Sequence, residues 1–281
     1  MKDLFSDSSA LYQQARPTYP HQVIEEILKH VSSQQFAWDC GAGSGQFTQL
    51  LAPYFEQIVA TDLSSQQLHQ APYFENVSYQ VQQAEQTSFA DQSFDLISVA
   101  QAIHWFNFEE FYKEVKRTLK KDGILAVIGY GLVRTEDPEL NILIEYLYRN
   151  VLGEYWDAER QHVDQSYQRI PFPFEELATP ELDMQLSWST AQFVGYLNTW
   201  TGLKHHRTQN AADDYVDPLT AIIDYLENKN TDVDIHFPVF LRIGKLKPKQ
   251  NKQSYVRNQT KTISIFKRVS MGLKECMVAY T

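Results

Sequence analysis

Cysteine is nearly missing from this chain: 281 residues contain two, Cys40 and Cys276, too few for a disulfide framework. Long apolar runs are missing as well, and no uninterrupted stretch approaches the roughly 20 residues of a membrane span. The first residues, Met1 to Asp7, lack the apolar segment of a secretory signal, so the cytoplasm is the expected location and no membrane partner is expected. No Cys and His cluster at ligand spacing occurs, which predicts no metal site. An excess of positive charge is also lacking. The net charge is −10, and an acidic body is a poor electrostatic match to phosphate backbones, so no nucleic-acid partner is expected. The charge is unevenly placed: after Gly244 come nine Lys or Arg and one Glu, giving the tail about +8 and the body about −18.

What is present is 43% hydrophobic residues, enough for the core of one large domain or of one domain with an insertion. The organising stretch is Ala37-Trp38-Asp39-Cys40-Gly41-Ala42-Gly43-Ser44-Gly45-Gln46, an apolar run that breaks into a glycine-rich turn. Glycine lets the backbone turn tightly and approach a ligand with no Cβ in the way. Phe47, Leu50 and Leu51 then recur as one face of a helix, so the turn joins a buried strand to a helix N-terminus. Such junctions are where open α/β sheets bind ligands.

The segments around it alternate in type. A helix is predicted from His21 to Val31 and a strand over Phe36 to Asp39. A helix follows at Phe47 to Pro53, then a strand at Ile58 to Asp62 that ends in an acid. Further strands are predicted at Val77 to Val81, Ser93 to Ala100 and Ile124 to Ile128. Phe108, Phe111, Tyr112, Val115 and Leu119 mark a helix between the last two, with Lys120 to Gly123 as its basic, glycine-terminated end. This rhythm is that of a parallel sheet covered on both faces. From Gly129 it changes. A long helix is expected over Leu140 to Val151, an irregular cover to Pro180, a strand over Leu182 to Trp188, and helices over Gln192 to Trp200 and Pro218 to Leu226. The final strand, Ile235 to Ile243, contains Pro238 and is therefore expected at or near an edge. Residues 1–244 form the expected domain, with cover segments at about 130–181 and 190–230; 245–281 is a basic appendage.

Several polar residues have two readings. Asp62 sits where a carboxylate can accept from both ribose hydroxyls of a nucleoside, or it caps the next helix. Glu85 can meet the polar edge of an adenine or be a loop carboxylate. His104 and Trp105 emerge at the end of the fourth strand, as site residues or as part of an aromatic cluster. Tyr12 and Arg16 read from position alone as a solvated arm, and His205-His206-Arg207 as a solvated helix end.

The order Asp39-Cys40-Gly41-Ala42-Gly43-Ser44-Gly45, Asp62, Ala84-Glu85, Ser93-Phe94-Asp95-Leu96 and Leu119-Lys120-Lys121-Asp122-Gly123-Ile124 resembles the class I S-adenosylmethionine-dependent methyltransferases. Arg16-Pro17-Thr18-Tyr19-Pro20 and Ala100-Gln101-Ala102-Ile103-His104-Trp105-Phe106 are similar to the small-molecule branch that includes trans-aconitate methyltransferases. The resemblance covers about residues 5–244. It implies a Rossmann-like, seven-stranded, mostly parallel α/β sheet whose last strand is antiparallel. It implies S-adenosyl-L-methionine as cofactor, with Gly41, Gly43, Gly45 and Gln101 near its methionine part and Asp39, Ala42, Gln46 and Leu63 among the other cofactor-binding residues. Asp62 would hold the ribose, Glu85 with Ala84 would face the adenine, and Tyr12 and Arg16 would belong to an arm closing over the cofactor, Arg16 pairing with its carboxylate. His104 and Trp105 would face a small-molecule acceptor, a carboxylic acid being one candidate. Two alternatives stay open: a methyltransferase acting on RNA or protein, and a nucleoside- or NAD-binding protein without methyl transfer. The sequence does not name the oligomeric state.

Overall fold

Apolar runs form five strands, and a computed structural model, which describes residues 16–210, 215–229 and 231–248, pairs those strands into one sheet. Tyr12, Cys276 and most of the basic appendage lie outside the described residues. The described residues up to Leu246 pack as one unit.

Helix α1 (His21–Leu28) follows Pro20 and buries Val23, Ile24 and Ile27. β1 (Phe36–Cys40) is buried from Ala37 onward, as a parallel strand with both faces covered must be. The glycine turn leads into α2 (Thr48–Leu51), shorter than expected, and then β2 (Gln57–Asp62), α3 (Ser65–Leu68), β3 (Val77–Val81) and β4 (Phe94–Ala100). A single 3₁₀ turn, Ile103–Trp105, precedes α4 (Phe108–Thr118), which is capped by the Asn107 side chain and carries Glu109 and Glu110 in its first turn and Lys116 and Arg117 in its last. The five strands, including β5 (Leu119–Tyr130), lie parallel in the order β3-β2-β1-β4-β5. Side chains alternate between faces. Ala37, Ile58, Leu96 and Ile124 join α1 and α2 in one core, while Trp38, Val59, Ile97 and Leu125 join α4 in the other.

The predicted turn at Lys120 to Gly123 is not formed. β5 starts at Leu119, directly after α4, and its register against β4 shifts between Phe94 and Leu96. Gly123 serves close approach here: a Cβ would stand 2.8 Å from the Phe94 carbonyl oxygen.

After β5 come β6 (Arg134–Thr135), α5 (Pro138–Tyr146) continued by a π turn at Leu147–Val151, α6 (Arg160–Asp164), β7 (Glu175–Leu177) and β8 (Leu182–Trp188). The predicted helix over Gln192 to Trp200 is instead α7 (Thr190–Leu197), and Trp200 starts a further helix, α8 (Thr201–Gln209). α9 (Thr220–Lys229) and β9 (Val233–Lys245) complete the unit.

β9 is antiparallel to β5, as expected of the last strand, but it is not an edge. Its 239–245 portion pairs with β5 and its 233–239 portion with β8, while β6 and β7 add short pairings at Ile235–His236 and Ile243–Lys245. Seven full strands are thus joined by two short ones. Pro238 is tolerated because its carbonyl, accepting from Gly131 N–H at 2.9 Å, points to the gap between the end of β5 and the start of β6. In an antiparallel strand the nitrogen of that residue points the same way, so Pro238 forgoes only the reciprocal bond to Gly131 at the end of β5 and none of the ladder to β8.

One part-buried ion pair ties three strand beginnings together. Asp95 accepts from Lys120 Nζ on both carboxylate oxygens, at 2.9 Å each, and from Phe36 N–H at 3.0 Å. Asp95→Ala strands the Phe36 amide, whereas Lys120→Ala leaves that bond intact. Urea unfolding is expected to show a loss of about 2–3 kcal/mol for each, the first from the stranded amide and the second from the Asp95 carboxylate left without its cation; a loss below about 0.5 kcal/mol for Asp95→Ala would mean that the amide bond contributes nothing.

Candidate active site

The glycine turn closes the C-terminal end of β1. Gly41 and Gly43 have φ of 72° and 56°, left-handed values that other residues rarely adopt. A Cβ on Gly41 would lie 2.5 Å from the Ala102 Cβ, and one on Gly43 would lie 2.8 Å from Gln67 Oε1. The turn is fastened to β2: Gly41 and Ala42 N–H donate to the Thr61 carbonyl at 2.8 and 2.9 Å, and Gly43 N–H donates to Asp62 Oδ2 at 2.9 Å. Asp62 Oδ1 accepts from Ser64 N–H at 2.9 Å. The cap of α3 is Ser64, whose side chain accepts from Gln67 N–H, so Asp62 is not the cap residue.

Beneath the turn lies Asp39, fully buried, accepting from Thr48 Oγ1 at 2.6 Å and Ser98 Oγ at 2.9 Å. Burial pushes its carboxyl up to about 6 against the opposing pull of those two hydroxyls.

A cleft opens over the turn. Arg16, Asp39, Gly41, Ala42, Gly43 and Gln46 line it on the side of the turn. Asp62, Leu63 and Ala84 line it at the ends of β2 and β3, and Gln101, His104 and Trp105 after β4. Two residues singled out from the sequence do not line it. A Cβ on Gly45 would face Ala71, Pro72 and Tyr79, and Glu85 accepts from Asn107 N–H at 2.9 Å, at the start of α4.

The far wall is made by Trp156, Asp157, Arg160 and Trp200; the helices around Trp200 are expected from the sequence as part of the substrate cover, whereas sequence reasoning missed Trp156, Asp157 and Arg160 and the contributions of Gln82 and Tyr130. Arg160 donates from Nε to Tyr148 Oη at 2.8 Å and lies over the Trp156 ring at 5.1 Å. Among the described residues its Nη groups donate no hydrogen bond. The Trp and Arg within Trp156-Asp157-Ala158-Glu159-Arg160 were the available signal, in a stretch read only as irregular cover.

Between the walls runs a polar network. Gln101, left-handed at φ 51°, donates from Nε2 to the Tyr130 carbonyl at 2.9 Å. Tyr167 Oη lies 3.2 Å from Gln101 Oε1 and 2.8 Å from His104 Nδ1. Arg16 Nη1 donates to Tyr130 Oη at 3.0 Å, and its guanidinium stands 5.9 Å from the Tyr196 ring centroid. Burial, reinforced by Arg160, His162 and Arg16, lowers the His104 pKa to about 3, so the imidazole is neutral. His205 and His206 are spent elsewhere, on the Tyr155 carbonyl and Tyr215 Oη. Among the described residues no group of three or more His, Cys, Asp or Glu could hold a metal ion, and no helix is long and apolar enough to cross a membrane.

The cradle fits a nucleoside cofactor with a polar tail: a turn without Cβ atoms, a fixed carboxylate beside it and a guanidinium opposite. Comparisons with known proteins agree. The methyltransferase domain family matches residues 38–127. A Dictyostelium discoideum protein named as a methyltransferase is 32% identical over 249 residues, covering 86% of this chain and 95% of that protein. A Saccharomyces cerevisiae protein named as an S-adenosylmethionine-dependent methyltransferase is 29% identical over 171 residues, covering 57% of this chain and 59% of its own length. The solved structure of a type II methyltransferase from Anaeromyxobacter dehalogenans is 34% identical, with a TM-score of 0.75 over 83% of this chain and 99% of that one. With the turn, the sheet order and a relative matched along nearly its whole length, the chain belongs to the class I methyltransferases, enzymes whose methyl donor is S-adenosylmethionine.

Proposed function

We propose that the enzyme methylates a small molecule bearing an acidic group, bound between the glycine turn and the wall formed by Trp156, Arg160 and Trp200. The observation that carries this reading is Arg160: a guanidinium lining the cleft, stacked on an indole, with its Nη groups uncommitted among the described residues. A planar fork of donors against an aromatic wall suits a carboxylate on an apolar frame. The similarity of Arg16 to Pro20 and of Ala100 to Phe106 to the trans-aconitate branch supports a small acceptor.

When bound, S-adenosylmethionine supplies a methyl group activated by a sulfonium. The protein's own tasks are to hold, align and keep dry. In this reading Gly41, Ala42 and Gly43 let the backbone close on the methionine part, and Arg16 neutralises its carboxylate. Gln46 and Gln101 would flank that part as well. Asp62, held rigid by two amides, would accept from the ribose hydroxyls. Leu63, Ala84 and Gln82 would border the adenine, with Glu85 acting from behind through the start of α4. Trp105 would wall the acceptor pocket.

Two measurements test this. Calorimetry with S-adenosylhomocysteine is expected to show binding that Asp62→Ala weakens about 10- to 100-fold, the loss of one charge-assisted site; unchanged affinity, or equal binding of NAD, would sink the cofactor assignment. A labelled-methyl screen over small acids, phenols and amines should favour acids. Arg160→Met is expected to raise KM for the accepted acid by about 30- to 100-fold, leaving S-adenosylhomocysteine affinity within about twofold. Equal use of neutral acceptors by the unaltered enzyme would refute the acidic-acceptor reading.

A further inference from the structure

Tyr167 does not line the cleft, yet the chain goes to unusual lengths to place its hydroxyl against two residues that do, His104 and Gln101. Ser166 and Tyr167 are both left-handed, with φ of 50° and 58°, a backbone that side chains beyond glycine and asparagine seldom adopt. Arg242 on β9 holds that bend, donating from Nη1 to the carbonyls of Tyr167 and Ile170 at 2.8 and 2.9 Å. The guanidinium is fixed in turn by Glu176, at 2.7 and 3.0 Å, and by the Phe172 ring 4.4 Å beneath it. The phenol ring is wholly buried against Phe240, and β5 makes room for both rings at Gly129, where a Cβ would lie 2.0 Å from Phe240 and 2.8 Å from Tyr167.

The hydroxyl so placed has one proton and two neighbours. The Gln101 amide cannot flip, because its Nε2 donates to the Tyr130 carbonyl and an oxygen there would face another oxygen. Oε1 therefore faces Tyr167, and an amide oxygen only accepts. The Tyr167 proton goes to Gln101, and the phenol oxygen must accept from His104, whose Nδ1 then carries hydrogen. Nε2, which has no hydrogen-bond partner among the described residues, is left with a lone pair on the ring edge turned away from Tyr167.

We infer that Tyr167 is a positioning residue that locks His104 as its Nδ1–H tautomer, so that Nε2 offers a lone pair to the hydroxyl group of the methyl acceptor. The tautomer stands on its own; the identity of the acceptor group rests on the methyl-transfer reading above. A carboxylate set against Nε2 would meet lone pair with lone pair, whereas a hydroxyl donates to it and turns its own lone pair outward. The acidic group is then the handle, held at Arg160, and the hydroxyl is the nucleophile. As its oxygen bonds to the methyl carbon, the carbon–sulfur bond breaks with the electron pair left on sulfur, and the hydroxyl proton passes to Nε2. His104 later gives that proton to water. The pKa of about 3 fits this order of events: so weak a base takes a proton from an oxygen that has become a protonated ether, a much stronger acid, and would leave a methylated amine as its ammonium.

The test is a long-range proton–nitrogen correlation spectrum of the full chain, labelled at histidine nitrogen, with S-adenosylhomocysteine present. His104 is assigned by its loss in His104→Gln. The expected spectrum has a protonated, pyrrole-type Nδ1 and an unprotonated, pyridine-type Nε2, a pattern lost in Tyr167→Phe. A pyrrole-type Nε2 in the unaltered chain overturns the tautomer without any variant having to fold, as does a pattern unchanged in a Tyr167→Phe that melts like the parent. For the acceptor, a panel of small hydroxy acids and their deoxy counterparts is offered with methyl-labelled cofactor. The expected product is an ether that survives alkali, formed by Tyr167→Phe with kcat at least tenfold lower and KM little changed. A methyl ester, releasing labelled methanol in alkali, overturns the hydroxyl assignment while leaving methyl transfer to acids intact.

Discussion

The Asp62 carboxylate is the joint on which the cleft depends. It ends β2 and takes one amide from the glycine turn after β1 and one from the loop leading into α3. Without it the Gly43 amide would have no partner in a part-buried place, and the turn would be held to β2 only through Thr61. With it, two loops from neighbouring strands become one rigid rim. The left-handed glycines are the other half of the arrangement, since a Cβ at Gly41 would run into Ala102 and push the rim away from the loop after β4.

The first half of the chain was legible because each of its elements is specified locally. Parallel strands buried on both faces read as apolar runs, and the glycine turn and the acid after β2 stand at fixed offsets from one another. Legibility failed where a residue's role is set by a distant partner. Lys120 to Gly123 look like a helix end, but Lys120 is drawn to Asp95 and Gly123 to the Phe94 carbonyl, so the segment extends as strand. Pro238 pointed to an edge because sequence cannot show that β5 stops beside it. Arg160 and Tyr167 lie in a stretch with little periodicity; their meaning comes from Tyr148, Trp156, His104 and Arg242, up to 75 positions away.

The two halves divide the work. The parallel strands and their loops carry the turn, Asp39, Asp62 and Gln101 on one side of the cleft. The chain after β5 supplies an aromatic wall, Tyr148, Trp156 and Trp200, with ring centroids 4.7 to 5.6 Å apart, and one cation set upon it. A low-polarity wall strengthens each remaining charge and hydrogen bond in the cleft. Sequence change in that wall can reshape one side of the cleft while the glycine turn keeps its geometry.

β9 meets β5 along one side and β8 along the other, with β6 and β7 filling the remaining lengths. During synthesis this makes the sheet wait. β5 contains the run Ile124 to Ile128 and presents it with one open edge until the ribosome has delivered residues up to Lys245, more than a hundred positions later. An unpaired apolar edge is the part of a nascent chain most apt to pair with the wrong strand. The closing of the sheet, and with it the placing of Arg242 under the Tyr167 bend, is therefore a late event in the life of the chain: a growing polypeptide stopped before β9 already contains Tyr167 but not the guanidinium that holds its bend.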